Sequence, residues 1–299
     1  MHAQRHSLSD GRWHFQHGPI DMVLSAQGDA QACAQAVEMA WQRFENILPE
    51  LVRELPMLRR PVSELNGHSF THKVAQRMHQ AASGMAAFAE DGFVTPMAAV
   101  AGSVAQELLP FFSNEGVHKV FINNGGDIAL HLQPGQRWRI GLVSDLAKAV
   151  SRLSLDASQT ASLLVDGAFE IDADMPVRGV ATSGWQGRSF SLGIADSVTV
   201  LAATAAQADV AATLIANAVN LQDPAIERRP ANSLRDDTDL GARWVTVNVP
   251  ALSPDQLQQA LELGLDCARA MQTAGVIHAA FLTCQGHAIV AEPVECWVQ

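Results

Sequence analysis

The stretch FINNGGDIAL (Phe121–Leu130) sets two Asn, two Gly and one Asp between two apolar runs. Asn-Gly and Gly-Gly are preferred two-residue hairpin turns. A glycine-rich loop that cradles dinucleotide phosphates would instead lead straight into a helix. Here Ile128, Leu130 and Leu132 alternate with other residues, so a strand comes next and the dinucleotide-fold reading fails. Two readings stay open: a turn that only reverses the chain, or backbone left bare for a ligand. A plain turn does not explain Asp127, which stands just before an apolar strand.

Outward from that turn, Val117–Asn123, Ile128–Leu132 and Arg137–Val143 read as strands. Upstream, Trp13–His17 and Ile20–Ser25 flank a Gly18-Pro19 turn. From Asp29 the residues Cys33, Val37, Ala40, Trp41, Phe44 and Leu48 recur at helical spacing, and Pro49, Pro56 and Pro61 punctuate the next segment. A second helix is expected from about Phe70 to Phe88. Thr95-Pro96 reads as a helix start, with a hydroxyl to cap free N–H groups and Pro at the first position. The PMAAVAGSVAQELLPFF run after it carries Ala98, Ala99, Ala101 and Gly102, small residues that let another backbone or a ligand come close.

Downstream, Asp156–Val165 fits helix or strand, and Phe169–Ile171 reads as a short strand. Val177–Thr182 and Asp196–Ala202 are β-rich, and the Ala-dense Ala205–Val219 is helical. The class expected is α/β, or α+β with mixed sheets. Residues 1–221 read as the core and the polar stretch 222–241 as a loop or linker. Residues 242–299 read as a β-α-β-β unit packed on the core: a strand at Trp244–Val249, a helix opened by Ser253-Pro254, and a hairpin around Gln285-Gly286.

The bulk numbers exclude more than they assign. With 299 residues, 48% of them hydrophobic, the chain can bury one large core or two modest ones. A formal charge of -11 argues against nucleic acid and anionic membrane surfaces as partners. The N-terminus lacks a signal-peptide core, and no run reaches the ~20 apolar residues of a membrane span. Cys33, Cys267, Cys284 and Cys296 are scattered without a CxxC pair, which fits a reducing compartment; a cytoplasmic protein is expected. Homodimers are common at this size, but no stretch names an interface.

Two further stretches offer chemistry. Thr182-Ser183-Gly184 comes after a β run with two hydroxyls and exposed N–H groups, suited to phosphate or ribose; read alone it is also an ordinary loop. It is not the G-x-S-x-G elbow, because neither flanking Gly is present. In AAQADVAATLIANAVN, Asp209 and Thr213 stand four apart on one helix face amid Ala. Such a pair suits a hard cation such as Mg²⁺; the competing reading is that Asp209 caps nearby N–H groups. His68, His72 and His79 lack a matching Glu or Cys for a metal site, and His14 and His17 only flank a strand end.

Together and in this order, GGDI, ATSG and ADSVTV leading to ADVAAT resemble the ApbE superfamily of FAD:protein FMN transferases. The likeness is nearest to the short ApbE-like branch, which is similar in the TPMAAVAGSVA helix and the NGGDI turn. It covers about Trp13 to Asn220, with the C-terminal unit also in the manner of that branch. The resemblance implies an ApbE-like fold that binds FAD, with Mg²⁺ held by Asp209 and Thr213. It places Asn124, Gly125, Gly126, Asp127, Thr182, Ser183 and Gly184 along the nucleotide pocket. The implied chemistry is attack of a target-protein hydroxyl on the pyrophosphate, releasing AMP.

Two positions depart from the transferases. Their Lys-Gly pair falls in a run that here has no Lys, and their H-x-x-D-P segment falls where this chain reads RSFSLG (Arg188–Gly193). His118 and His131 are the candidate replacements for the missing His. The expectation is a Mg²⁺-dependent FAD-binding protein with phosphoryl or FMN transfer or pyrophosphate cleavage. The alternatives are a non-catalytic ligand-binding or assembly protein of the same fold, or a cofactor-biosynthesis enzyme acting on another phosphate ester.

Overall fold

The structure, a computed structural model, describes residues 2–142 and 167–293. Asp156–Val165, Val143 and Cys296 therefore lie outside the described residues. Along the chain come β1 (Gln4–Ser7), β2 (Trp13–His17), β3 (Ile20–Gly28), α1 (Ala30–Leu58), α2 (Lys73–Met85), α3 (Val100–Leu108), β4 (Val117–Asn124) and β5 (Asp127–Leu132). Next are β6 (Arg137–Leu142), β7 (Gly167–Asp172), β8 (Gly179–Ser183), β9 (Ser197–Ala202) and α4 (Ala205–Ala218). Last come β10 (Glu227–Pro230), α5 (Ala231–Leu234), β11 (Trp244–Asn248), α6 (Pro254–Thr273), β12 (Ala279–Cys284) and β13 (His287–Ala291).

The fold is mixed α and β. Nine strands form one sheet in the order β1-β2-β3-β4-β5-β8-β9-β12-β13. Every neighbouring pair in it is antiparallel. The C-terminal hairpin thus extends the sheet that the N-terminal strands begin. Alternation along the strands sends side chains to two faces. Val120, Ile122, Ala129, Val198 and Val200 join the main core with the helices. Leu130, Leu132, Val180 and Leu201 point the other way, toward Trp138, Ile140, Phe169 and Ile171 of the β6–β7 ribbon.

Local chemistry sets the helix starts. Asp29 accepts the Ala32 N–H at 2.8 Å to open α1. Thr204 accepts from Gln207 N for α4, and Ser253 with Gln256 forms a reciprocal capping box for α6. Two expectations need correction. Helix α1 runs through Pro49 and Pro56, because buried Ile47, Leu51 and Leu58 hold those turns on the core. Thr95 does not cap: its hydroxyl donates to Asp239 at 2.5 Å, and Pro96–Ala99 is a 3₁₀ turn leading into α3.

Within residues 222–241, β10 pairs with β11, and Asp237 and Asp239 bond Arg59 and Thr95. Among the described residues no helix is long and apolar enough to cross a membrane.

Candidate functional site

Two glycines decide how α4 meets the sheet. A Cβ on Gly102 of α3 would lie 2.2 Å from the Ala205 carbonyl oxygen, and one on Gly179 of β8 would lie 2.2 Å from the Thr204 carbonyl carbon. The start of α4 is therefore wedged between α3 and β8, where no side chain fits. The small residues of the AAVAGS run admit another backbone, which was one of their two sequence readings. This packing brings Asp209, one turn into α4, against the N-terminus of α3.

There the Asp209 carboxylate accepts the Gly102 N–H at 2.8 Å and also a bond from the Ala101 N–H. Asn124, buried at the end of β4, donates its side-chain amide to the Ala101 carbonyl at 3.1 Å and ties the hairpin to the same place. Gly125 and Gly126 form the two-residue turn with φ of +67° and +118°, values that L side chains resist. Nothing lies within 4 Å of a Cβ built on Gly126, so that backbone borders open space. The Gly126 N–H is held by Asn123 Oδ1 at 2.8 Å.

Asp127 opens β5, directly after the turn. The β5–β8 ladder has only the pairs Ile128–Val180 and Ala129–Gly179. Beyond it the Asp127 carboxylate accepts the Thr182 N–H at 3.2 Å, taking the place of a ladder carbonyl. The Thr182 side chain turns to the other neighbour, β9, and shares a 2.9 Å hydroxyl–hydroxyl bond with Thr199. Ser183 closes β8. Gly184 packs against Asp196, whose carbonyl oxygen would lie 2.1 Å from an added Cβ.

The electrostatics are unusual for a pair of carboxylates. Burial pushes the Asp127 carboxyl up to about 7, opposed only by the Thr182 N–H. Asp209 is raised well above the ordinary carboxylate range, first by burial and then by the charge of Asp127, against the two N–H groups of α3. Two mutually repelling, desolvated carboxylates favour a proton or a cation between them. Thr213, one turn further along α4, is half-buried and adds a hydroxyl on the same helix face. Carboxylate and hydroxyl oxygens are the donor set of a hard cation, so these residues fit Mg²⁺.

The structure thus brings together Asn124, Gly125, Gly126, Asp127, the Thr182 backbone and Asp209, with Thr213 one turn on. Gly184 is tied to Asp196 instead. Sequence reasoning missed Asp127 as the second carboxylate of a pair, because β5 and α4 are distant in the chain. It also missed the N–H groups of Ala101 and Gly102. Gly102 was the available signal, a glycine inside an otherwise good helix.

The histidines fall elsewhere. His118 is exposed at the far end of β4, and His131 is about 14 Å along β5 from Asp127 at ~3.4 Å per residue, so neither replaces the missing His. His72 bonds Glu54 at 2.8 Å, His14 bonds Asp21 at 2.6 Å, and His68 and His79 pack on Phe70. A separate cavity of about 650 Å³ lies toward the C-terminal end of α4, lined by Phe88, Phe93, Leu214, Asn217 and Leu263 among others, and by no residue of the carboxylate pair.

The chain belongs to the family described as AbpE bacteria, whose model matches residues 5–290. It is 39% identical over 131 residues to a UPF0280 protein of Methanothermobacter thermautotrophicus, 44% of each chain. It is 35% identical over 179 residues to a UPF0280 protein of Methanopyrus kandleri, covering 59% of this chain and 61% of that one. The chain spans about half the length of the curated relatives it matches. Among solved structures, the ApbE protein of Thermotoga maritima aligns over 98% of this chain and 96% of its own, at 13% identity and a TM-score of 0.44. The flavinyl transferase ApbE of Pseudomonas stutzeri aligns over 97% and 94%, at 12% identity and a TM-score of 0.43.

Proposed function

We propose that the chain is a Mg²⁺-dependent flavin-nucleotide-binding protein that cleaves or transfers at the pyrophosphate of an FAD-like ligand. The observation that carries this is the Asp127–Asp209 pair, two carboxylates held by the backbone N–H groups of Thr182 and Gly102 next to a glycine turn. Family membership and the GGDI, ATSG and ADVAAT stretches support the choice of ligand.

Asp209, Asp127 and the Thr213 hydroxyl would hold the cation, which supplies charge stabilisation on phosphate oxygens. The N–H groups of Ala101 and Gly102 fix the Asp209 carboxylate, and Asn124 fixes the start of α3 beneath it. The Gly126 backbone, which borders open space, lets a phosphate approach without a side chain between. In transfer, an acceptor oxygen forms a bond to the FMN-side phosphorus, the P–O–P bond breaks, and AMP leaves with the bridging oxygen. The acceptor's proton passes to solvent. A non-catalytic ligand-binding or assembly protein is the second reading. The observation favouring it is the MAAVAGS run without a Lys, together with RSFSLG where the transferases carry their His segment.

The deciding experiment incubates the protein with FAD and Mg²⁺ and separates the nucleotides. AMP release that disappears in Asp209→Asn supports cleavage or transfer. Bound but intact FAD supports the second reading. No flavin binding with or without Mg²⁺ overturns the first reading and removes flavin as the ligand of the second.

A further inference from the structure

The geometry points to Arg188 as the residue that grips a phosphate of the ligand across the Gly125–Gly126 turn; this rests on the phosphate-ester reading of the same site. Two carboxylates beside a bare turn repel a phosphate, so a phosphate-binding site here needs positive charge from the protein as well as from a cation. Arg188 sits where that charge is required. Its Nη1 lies 3.2 Å from where a Gly125 Cβ would be, so the guanidinium rests on the turn itself.

The loop that carries it is fixed at its base. The Trp185 N–H bonds the Ala195 carbonyl at 3.0 Å, the Trp185 indole reaches Asp196 at 3.3 Å, and the Gly187 N–H bonds the Gly184 carbonyl at 3.1 Å. Arg188 is therefore presented by a closed loop over the turn.

Its guanidinium is also weakly engaged. It pairs with Asp21 Oδ2 at 4.0 Å, beyond hydrogen-bond range, and Asp21 is already bonded through Oδ1 to His14. The side chain is 67% exposed. Arg178, by contrast, spends its guanidinium on the carbonyls of Ala173, Met175 and Val177. A planar guanidinium whose N–H groups make no hydrogen bond among the described residues is matched to two phosphate oxygens at once, which an ammonium cannot reproduce.

The test uses inorganic pyrophosphate with Mg²⁺ as probe, measured by calorimetry on the full chain. Arg188→Ala weakens pyrophosphate binding by about tenfold or more, and Arg188→Lys recovers only part of it. Asp21→Asn, which removes the rival carboxylate, tightens binding. Because Arg188 is exposed, the unfolding temperature of Arg188→Ala stays at the wild-type value. No pyrophosphate binding by the wild type, or a change of about twofold or less in Arg188→Ala, overturns the assignment. FAD titrations run alongside separate the two ideas. Arg188-dependent pyrophosphate binding without any FAD binding sinks the flavin reading and leaves Arg188 standing. FAD binding with pyrophosphate binding indifferent to Arg188→Ala does the reverse.

Discussion

The carboxyl of Asp127, at the head of β5, raises the pKa of Asp209 in α4, on top of the burial that already raises both. Each is held by backbone N–H groups, Thr182 for one and Gly102 with Ala101 for the other. The pair joins two segments that packing, not sequence neighbourhood, puts side by side.

A pH dependence arises from Asp127. Its pKa is near 3.9 in an unfolded chain and about 7 when folded. Between those values the folded state binds more protons, so this contribution is complete below about pH 4. It is lost as pH rises through 7. Metal-free Asp127→Asn therefore unfolds at a higher temperature than wild type at pH 8, with little difference at pH 4.5. Mg²⁺ should raise the wild-type unfolding temperature more at pH 8 than at pH 5, and barely raise that of the variant. Equal Mg²⁺ stabilisation of both proteins at pH 8 would remove Asp127 from the cation site.

Asp209 has two separable roles. Asp209→Ala removes the acceptor for the first N–H groups of α3 and should destabilise the protein by about 1–2 kcal/mol, as for other lost caps. From sequence alone the Ala variant looks structurally neutral, since Ala is the best helix former. The bond to Gly102 reverses that expectation. Asp209→Asn keeps a carbonyl oxygen for the N–H, so it should fold nearly as well yet lose Mg²⁺-dependent ligand binding. Urea unfolding of both variants, beside a Mg²⁺ titration, reads the difference. Full Mg²⁺ response in Asp209→Asn would leave Asp209 with its capping role alone.

Much of this was legible one segment at a time. The alternation of Ile128, Leu130 and Leu132 placed β5, Asn-Gly-Gly marked the turn, and the Ala run from Ala205 placed α4. Ser253-Pro254 announced α6 because its cap chemistry is local. What sequence could not give was the meeting of segments. Thr95 looked like a cap until its hydroxyl was seen to reach Asp239, 144 positions away. Pro49 and Pro56 looked like breaks because the burial that holds α1 together is tertiary. Arg188 stood out only as the first residue of RSFSLG, since nothing local indicates that Gly125 lies beneath it.

The wedge at α4 yields a prediction about backbone approach. Gly102→Ala and Gly179→Ala each put a Cβ about 2.2 Å from backbone atoms of Thr204 or Ala205, which cannot swing away as a side chain could. Overpacking of this kind costs about 1–3 kcal/mol or more. Both variants should also displace Asp209 and weaken Mg²⁺ binding. Thermal unfolding together with Mg²⁺ titration tests this, and an unchanged unfolding temperature in both variants would show that α4 does not need the close approach.

Below the site, Glu107 of α3 is 7% exposed and holds two arginines, Arg43 of α1 and Arg77 of α2, each at 2.9 Å. Arg43 also forks onto Glu50 at 2.7 and 2.8 Å, and Arg77 donates to the Ser103 carbonyl at 3.0 Å. The hydrogen bonds to Glu50, and then those to Glu107, keep the Arg43 guanidinium firmly protonated. The network clamps three helices, including the one whose first N–H groups position Asp209. Removing one member of a buried charge network leaves the others uncompensated and costs about 3–5 kcal/mol. Glu107→Ala should therefore lower stability by about that amount, whereas Glu50→Ala, on the more exposed side, should cost less. Because the loss comes from stranded arginines, Glu107→Ala combined with Arg77→Met should recover part of it. Denaturant unfolding of Glu107→Ala, Arg77→Met and the double variant decides the point: strictly additive losses would mean that Glu107 and Arg77 do not act as one unit.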